Sequence, residues 1–173
     1  RTGQSDTVAP MPSVILKSGK ERRLMAGHAW VYAGEIGKIT GDPADGDAVD
    51  IRDHKERHLG IGLLNRKSQI TVRRFSTGKD EINAAFLRQR IQAAIQYRES
   101  GILAVPNTTG DSSCRVIFSE SDQLPGLVVD KFGDHLVLQA LTLGMDRRKG
   151  QVVEILRELF KPTAILERSD VPS

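Results

Sequence analysis

The sequence has one cysteine, one tryptophan, 5% aromatic residues and no apolar run approaching the roughly 20 residues that a membrane helix requires. Cys114, being alone, excludes an internal disulfide and a thiolate zinc cluster, which agrees with a reducing compartment. Residues Arg1 to Ser13 lack the apolar centre of a secretory signal, so a cytoplasmic location without membrane partners is expected. Also missing are a G-x-x-x-x-G-K-[ST] phosphate loop, a G-x-G-x-x-G after a strand and a G-x-S-x-G nucleophile elbow. Nucleotide chemistry is not encoded in these residues.

What is present suffices for a folded core. With 39% hydrophobic and 27% charged residues over 173 positions, the chain has room for one medium domain or two small ones. Its net charge of +3 is unevenly spread. Up to Lys79 there are 14 Lys and Arg against 9 Asp and Glu, whereas the remainder carries 11 against 13. A basic first part suits a negatively charged partner, of which phosphate backbones are the commonest; solvated surface charge is the plainer reading. The Ser-Thr-Gly-Lys stretch ending at Lys79 marks the junction.

Residues 1–12, with two prolines and few apolar groups, read as a flexible leader. Val14-Ile15-Leu16 begins a run of short extended segments that continues through Ala29 to Gly34, Asp47 to Arg52, His58 to Asn65 and Ile70 to Phe75. Lys20 to Met25 reads as one helical turn closed by Gly27. Strands this short must close up to protect their edges, which predicts a small barrel-like module over 13–78. The rest, 79–171, reads as a strand-and-helix unit. Its opening helix, with Asp80 as N-cap, places Ile82, Phe86, Leu87, Ile91, Ala94 and Ile95 on one face. Strands at Arg115 to Ser119, Leu127 to Phe132 and Leu136 to Leu141 follow, then a helix over Asp146 to Phe160 and a strand at Thr163 to Arg168. The fold class is therefore α+β.

Few residues offer chemistry. His54 and His58 are four apart, but they sit between strand-like runs and read as a solvated hairpin rather than a metal site. Cys114 opens a strand and reads as inert packing, and Asp111, Glu120 and Asp122 read as unpaired surface carboxylates. The segment from Leu16 is more informative. Lys17, Lys20, Arg22 and Arg23 place four cations within seven residues, and Gly27, His28 and Trp30 add a flexible turn and two rings. Cations hold phosphates and exposed rings stack on unpaired bases. Trp30 and Tyr32 share one face of a strand, with Val31 opposite. That face is expected to be the module core, with base stacking by Trp30 the alternative.

The run from Leu16-Lys17-x-Gly19-Lys20-Glu21-Arg22-Arg23-Leu24 through Gly27-His28-x-Trp30-Val31-Tyr32-x-Gly34-Glu35-Ile36 resembles the start of the RlmI-like family, S-adenosylmethionine-dependent methyltransferases that make 5-methylcytosine in large-subunit ribosomal RNA. Glu120-Ser121-Asp122-Gln123-Leu124-Pro125-Gly126-Leu127-Val128-Val129-Asp130-Lys131-Phe132-Gly133 is similar to that family's E-x-D-x-L-P-G-L-x-V-D-x-Y/F-G segment, and Glu167 to Val171 to the strand before its catalytic domain. Ala29 stands where the family commonly has proline.

The resemblance implies a PUA-type RNA-binding barrel, then a central domain, with the Rossmann-like methyltransferase domain and its nucleophilic cysteine absent from this chain. Cys114 does not fall in that motif. It implies ribosomal RNA as partner, held by Lys17, Lys20, Arg22, Arg23, Gly27, His28 and Trp30. The methyl donor S-adenosylmethionine would serve the full-length parent, with no cofactor, catalytic residue or metal site expected here. Homo-oligomerisation stays open. The Arg1 start and the 172–173 end fit truncation; a free-standing PUA-type adaptor is the alternative.

Overall fold

The computed structural model describes residues 10–100 and 113–169. Most of the expected leader, Asp111, most of the turn-rich loop after the first long helix, and the chain beyond 169 lie outside the described residues. The alternating segments of the basic part form β1 (Ser13–Leu16), β2 (Trp30–Tyr32), β3 (Ile36–Thr40), β4 (Ala48–Arg52), β5 (His58–Leu64) and β6 (Ile70–Ser76), with helix α1 (Glu21–Met25) between β1 and β2. They make one sheet in the order β2-β6-β5-β4-β1-β3. All neighbours are antiparallel except β1 and β4.

This sheet is rolled, and its connectivity requires it. In a flat six-stranded sheet the edges would lie about 24 Å apart. Yet β2 and β3 are those edges, and only a 3-10 turn, Ala33–Glu35, separates Tyr32 from Ile36. That connection can span no more than about 14 Å. Inside the roll lie Val14, Leu16, Val31, Val49, Ile51, Leu64 and Val72, joined by Leu24 of α1.

Strand β3 has no counterpart in the sequence reading. Its apolar residues Ile36 and Ile39 are three apart because the β1–β3 register shifts between Ile15 and Leu16, leaving Gly37 as the extra residue. The polar turn between β4 and β5 is a hairpin as expected, built around a buried carboxylate. Asp53 accepts the backbone N–H of Lys55 and of Arg57, both at 2.9 Å, and the Arg57 Nε at 2.7 Å.

Beyond the junction come α2 (Ala84–Ser100), β7 (Ser113–Phe118), β8 (Leu127–Phe132), β9 (His135–Ala140), α3 (Leu143–Asp146), α4 (Lys149–Phe160) and β10 (Ala164–Glu167). The second sheet has the order β10-β9-β8-β7, with β9 and β10 parallel. The apolar stripe of α2 is buried at Phe86, Leu87, Ile91 and Ala94, with Ile82 just before the helix, packed against the second sheet and α4. Asn83 rather than Asp80 caps α2, its side chain accepting the Phe86 N–H at 3.0 Å, while Asp80 bonds the Ser76 hydroxyl. Asx side chains three residues before a free N–H make that bond, and Asp80 is too far upstream. The helix expected over 146–160 is α4, which begins at Lys149 because Asp146 ends a separate turn, α3, capped by Thr142. Cys114 is half-buried at the start of β7 and packs against this core.

The two sheets share a core. Ile61, Leu63 and Phe75 of the first sheet belong to the same buried cluster as α2, α4 and the second sheet. Gly144 permits the approach: a Cβ there would lie 2.6 Å from Leu63 Cδ1 and 2.8 Å from its Cβ. Gly144→Val should therefore cost about 2 kcal/mol of overpacking. A denaturant midpoint left unchanged by this substitution would contradict the close packing.

Candidate nucleic-acid interface

The basic segment wraps the β1–β2 side of the roll. Helix α1 is one turn, ended by Gly27 at φ +98°, a conformation suited to glycine. Arg74 of β6 donates from Nη1 to the Leu24 carbonyl at 3.0 Å, tying this turn to the sheet. Burial lowers the Arg74 pKa.

The four cations divide into two pairs. Lys17 Nζ donates to the Gly34 carbonyl at 2.9 Å, and Arg23 lies 5.0 Å over the Tyr32 ring with Glu35 Oε1 3.5 Å from its Nη1. These two brace the 3-10 turn against α1. Lys20 and Arg22 are exposed, and among the described residues no carboxylate lies within salt-bridge distance of either. Gly27 and His28 are exposed beside them. A pair of unpaired cations next to a glycine turn can hold a phosphate backbone.

Contrary to the sequence reading, Trp30 does not face the module core. Val31, fully buried, faces the core, and Trp30 and Tyr32 face away from it, half-buried. The indole Nε1 donates to Glu120 Oε1 at 2.8 Å, and the Arg73 guanidinium lies 5.4 Å over the ring. Arg73 Nη1 also donates to Glu120 Oε1 at 2.8 Å. Burial alone would raise the Glu120 pKa; hydrogen bonds from the Ser119 hydroxyl, the Trp30 indole and its own backbone N–H, with the Arg73 charge, hold it below the ordinary value. Trp30 is thus a rivet between the sheets.

Of the carboxylates read as unpaired, Glu120 and Asp122 are paired, and Asp111 lies outside the described residues. Asp122 accepts both Arg98 Nη1 at 2.9 Å and Arg98 Nη2 at 2.8 Å, and also caps the Phe118 N–H at 2.6 Å, fixing α2 to the 3-10 turn Ser119–Asp122. Gly126, at φ +83°, leaves room for Thr142, whose Oγ1 would lie 2.3 Å from a Cβ there. The Glu120-to-Gly133 motif is a structural joint. Arg73 carries no local signal and Glu120 reads from the sequence as an unpaired carboxylate, although the N–H of an indole that is partly buried usually finds an acceptor.

Among the described residues no group of three His, Cys, Asp or Glu could hold a metal, and no helix is long and apolar enough to cross a membrane. A methyl-donor seat of the doubly wound type needs a glycine turn, open to ligand, after a parallel strand. The β9–α3–α4–β10 pass offers Gly144, but Leu63 fills the space beyond its Cα, and Glu167 at the end of β10 is held by Lys149 Nζ at 2.7 Å. These residues do not fit S-adenosylmethionine.

Comparison with known proteins agrees with this architecture. Residues 14–77 match the family model of a PUA-like domain. The chain is 34% identical over 161 residues to ribosomal RNA large subunit methyltransferase I of Klebsiella pneumoniae, covering 92% of this chain and 39% of that protein. The protein of the same name in Cronobacter sakazakii is 36% identical over 159 residues, covering 91% and 39%. A solved structure from Streptococcus mutans, assigned as a SAM-dependent methyltransferase, shares the fold at a TM-score of 0.74 and 15% identity, covering 90% of this chain and 40% of that one. The chain spans about two-fifths of the length of these relatives. By sequence it is a homologue of the ribosomal RNA large subunit methyltransferase I proteins, with residues 14–77 as its PUA-like domain.

Proposed function

We propose that this chain is the RNA-recognition and central portion of an S-adenosylmethionine-dependent ribosomal RNA 5-methylcytosine methyltransferase, without the catalytic domain. The observation that carries this reading is the exposed Lys20–Arg22 pair on a PUA-like domain whose relatives are named as ribosomal RNA methyltransferases. Lys20 and Arg22 hold RNA phosphates directly; Lys17 and Arg23 keep the α1 turn in place, and Gly27 and His28 complete the surface. Trp30 acts indirectly, by fixing the orientation of the PUA-like domain on the second sheet. The target base is presented elsewhere, and binding energy gained here offsets the few kcal/mol that unstacking it costs.

Titration calorimetry tests both halves of the reading. A ribosomal RNA fragment should bind this chain saturably, whereas S-adenosylmethionine should give no heat above dilution. Saturable binding of the methyl donor would overturn the placement of its site outside this chain.

A further inference from the structure

A cleft of about 1090 Å³ opens between the two sheets. Its accessible apolar surface comes from Leu141, exposed, and Leu143, half-buried, at the β9–α3 junction, with the buried Leu63, Leu64 and Phe75 of the first sheet behind them. The walls carry the carboxylates Asp45, Asp146 and Glu167 and the cations Lys67, Arg73 and Arg147.

The charges are not equally available. Asp45 accepts the Arg66 backbone N–H at 2.9 Å and its Nη1 at 3.1 Å. Lys149 Nζ bridges Asp146 at 2.9 Å and Glu167 at 2.7 Å, one cation shared by two carboxylates. Arg73 is taken by Glu120. Among the described residues no carboxylate lies within salt-bridge distance of the Lys67 ammonium, and the only one near Arg147, Asp47, is 3.7 Å away with both side chains about half exposed. Arg147 is laid across the Gly46 turn: a Cβ on Gly46 would sit 2.5 Å from its Cδ. What the cleft offers a ligand is therefore the apolar surface of Leu141 and Leu143 beside Lys67, which has no carboxylate partner among the described residues, and Arg147, whose pairing with Asp47 is long and half exposed.

That combination matches single-stranded nucleic acid, whose bases present apolar faces while its backbone needs cations. A duplex hides its base faces, has nothing to lay on these leucines and would use only the cations at α1. Arg73, which lines the cleft, also lies over the ring of Trp30 in the strand that follows the basic segment. We propose that this cleft seats an unpaired nucleotide segment of the RNA held at α1, with Lys67 and Arg147 on its phosphates. The inference rests on the RNA-recognition reading.

Fluorescence anisotropy on the full 173-residue chain separates the two. The probes are a ribosomal RNA hairpin with an unpaired loop and a blunt duplex of equal phosphate count. Lys67→Glu with Arg147→Glu should weaken the hairpin complex about tenfold and the duplex complex by less than about twofold. Lys20→Glu with Arg22→Glu should weaken both. Lys67→Gln with Arg147→Gln, which removes charge with little change of bulk, should weaken the hairpin complex in the same sense. If the cleft variants bind the hairpin as tightly as the parent chain does, or lose both probes equally, the cleft assignment fails while the α1 reading stands. If the parent chain binds neither probe, the recognition reading fails and takes the cleft with it.

Discussion

Reversing Lys20 and Arg22 together to glutamate should lower the affinity for ribosomal RNA by about tenfold or more at moderate salt, and should flatten the salt dependence by about 1.4 in log-log slope. Among the described residues these are the two cations of the segment that stand exposed with neither a carboxylate nor a carbonyl partner. Their reversal removes two phosphate contacts without breaking an internal bond, so the thermal midpoint should stay where it is. Lys17→Ala behaves differently, since its ammonium caps the Gly34 carbonyl. Its effect on binding should come with a loosened 3-10 turn, visible as faster amide exchange over 33–36. Equal affinities for the parent chain and the Lys20/Arg22 variant would place the RNA surface elsewhere.

The second large effect concerns the rivet between the sheets. Glu120→Ala leaves the Trp30 N–H and the Arg73 guanidinium without their shared acceptor. A charged, part-buried hydrogen-bonding partner is worth roughly 1.5–3 kcal/mol, at the lower end where solvent screens it. With the Glu120 side chain 30% exposed, about 2 kcal/mol is expected. For a chain of this size that corresponds to a fall of about 4–8 °C in thermal midpoint. The pH dependence follows from the direction of the Glu120 shift. Its carboxyl titrates below the ordinary value of 4.5 in the folded state, so the stability it contributes is fully present above that value. It is lost as the pH falls through the lower, folded value. Glu120→Gln should therefore be less stable than the parent chain at neutral pH, and the gap should close in acid. A gap that stays constant from neutral to strongly acidic pH would show that the charge on Glu120 contributes nothing.

Much of this fold was legible locally. Period-two alternation located β4, β5 and β6, and the spacing of Ile82, Phe86, Leu87, Ile91 and Ala94 located α2 together with its buried face. What escaped was set by long-range pairing. Strand β3 hides its period behind the extra residue at Gly37, and which face of β2 is inward depends on its register against β6 and on Glu120, ninety residues away. The candidate site divides in the same way. Composition located the cations, but only the folded chain distinguishes those that brace the turn from those that face solvent. Lys67 and Arg147 belong to no local motif, and the fold brings them to one cleft.

The account rests on electrostatic recognition of RNA by the PUA-like domain. Its most direct test is the binding constant of the parent chain for a ribosomal RNA fragment, measured across a series of salt concentrations. Electrostatic recognition predicts a linear fall of log affinity with log salt, with a slope of about −0.7 for each single-strand phosphate held and about −1.4 from Lys20 and Arg22 alone. An affinity that does not change with salt would contradict it.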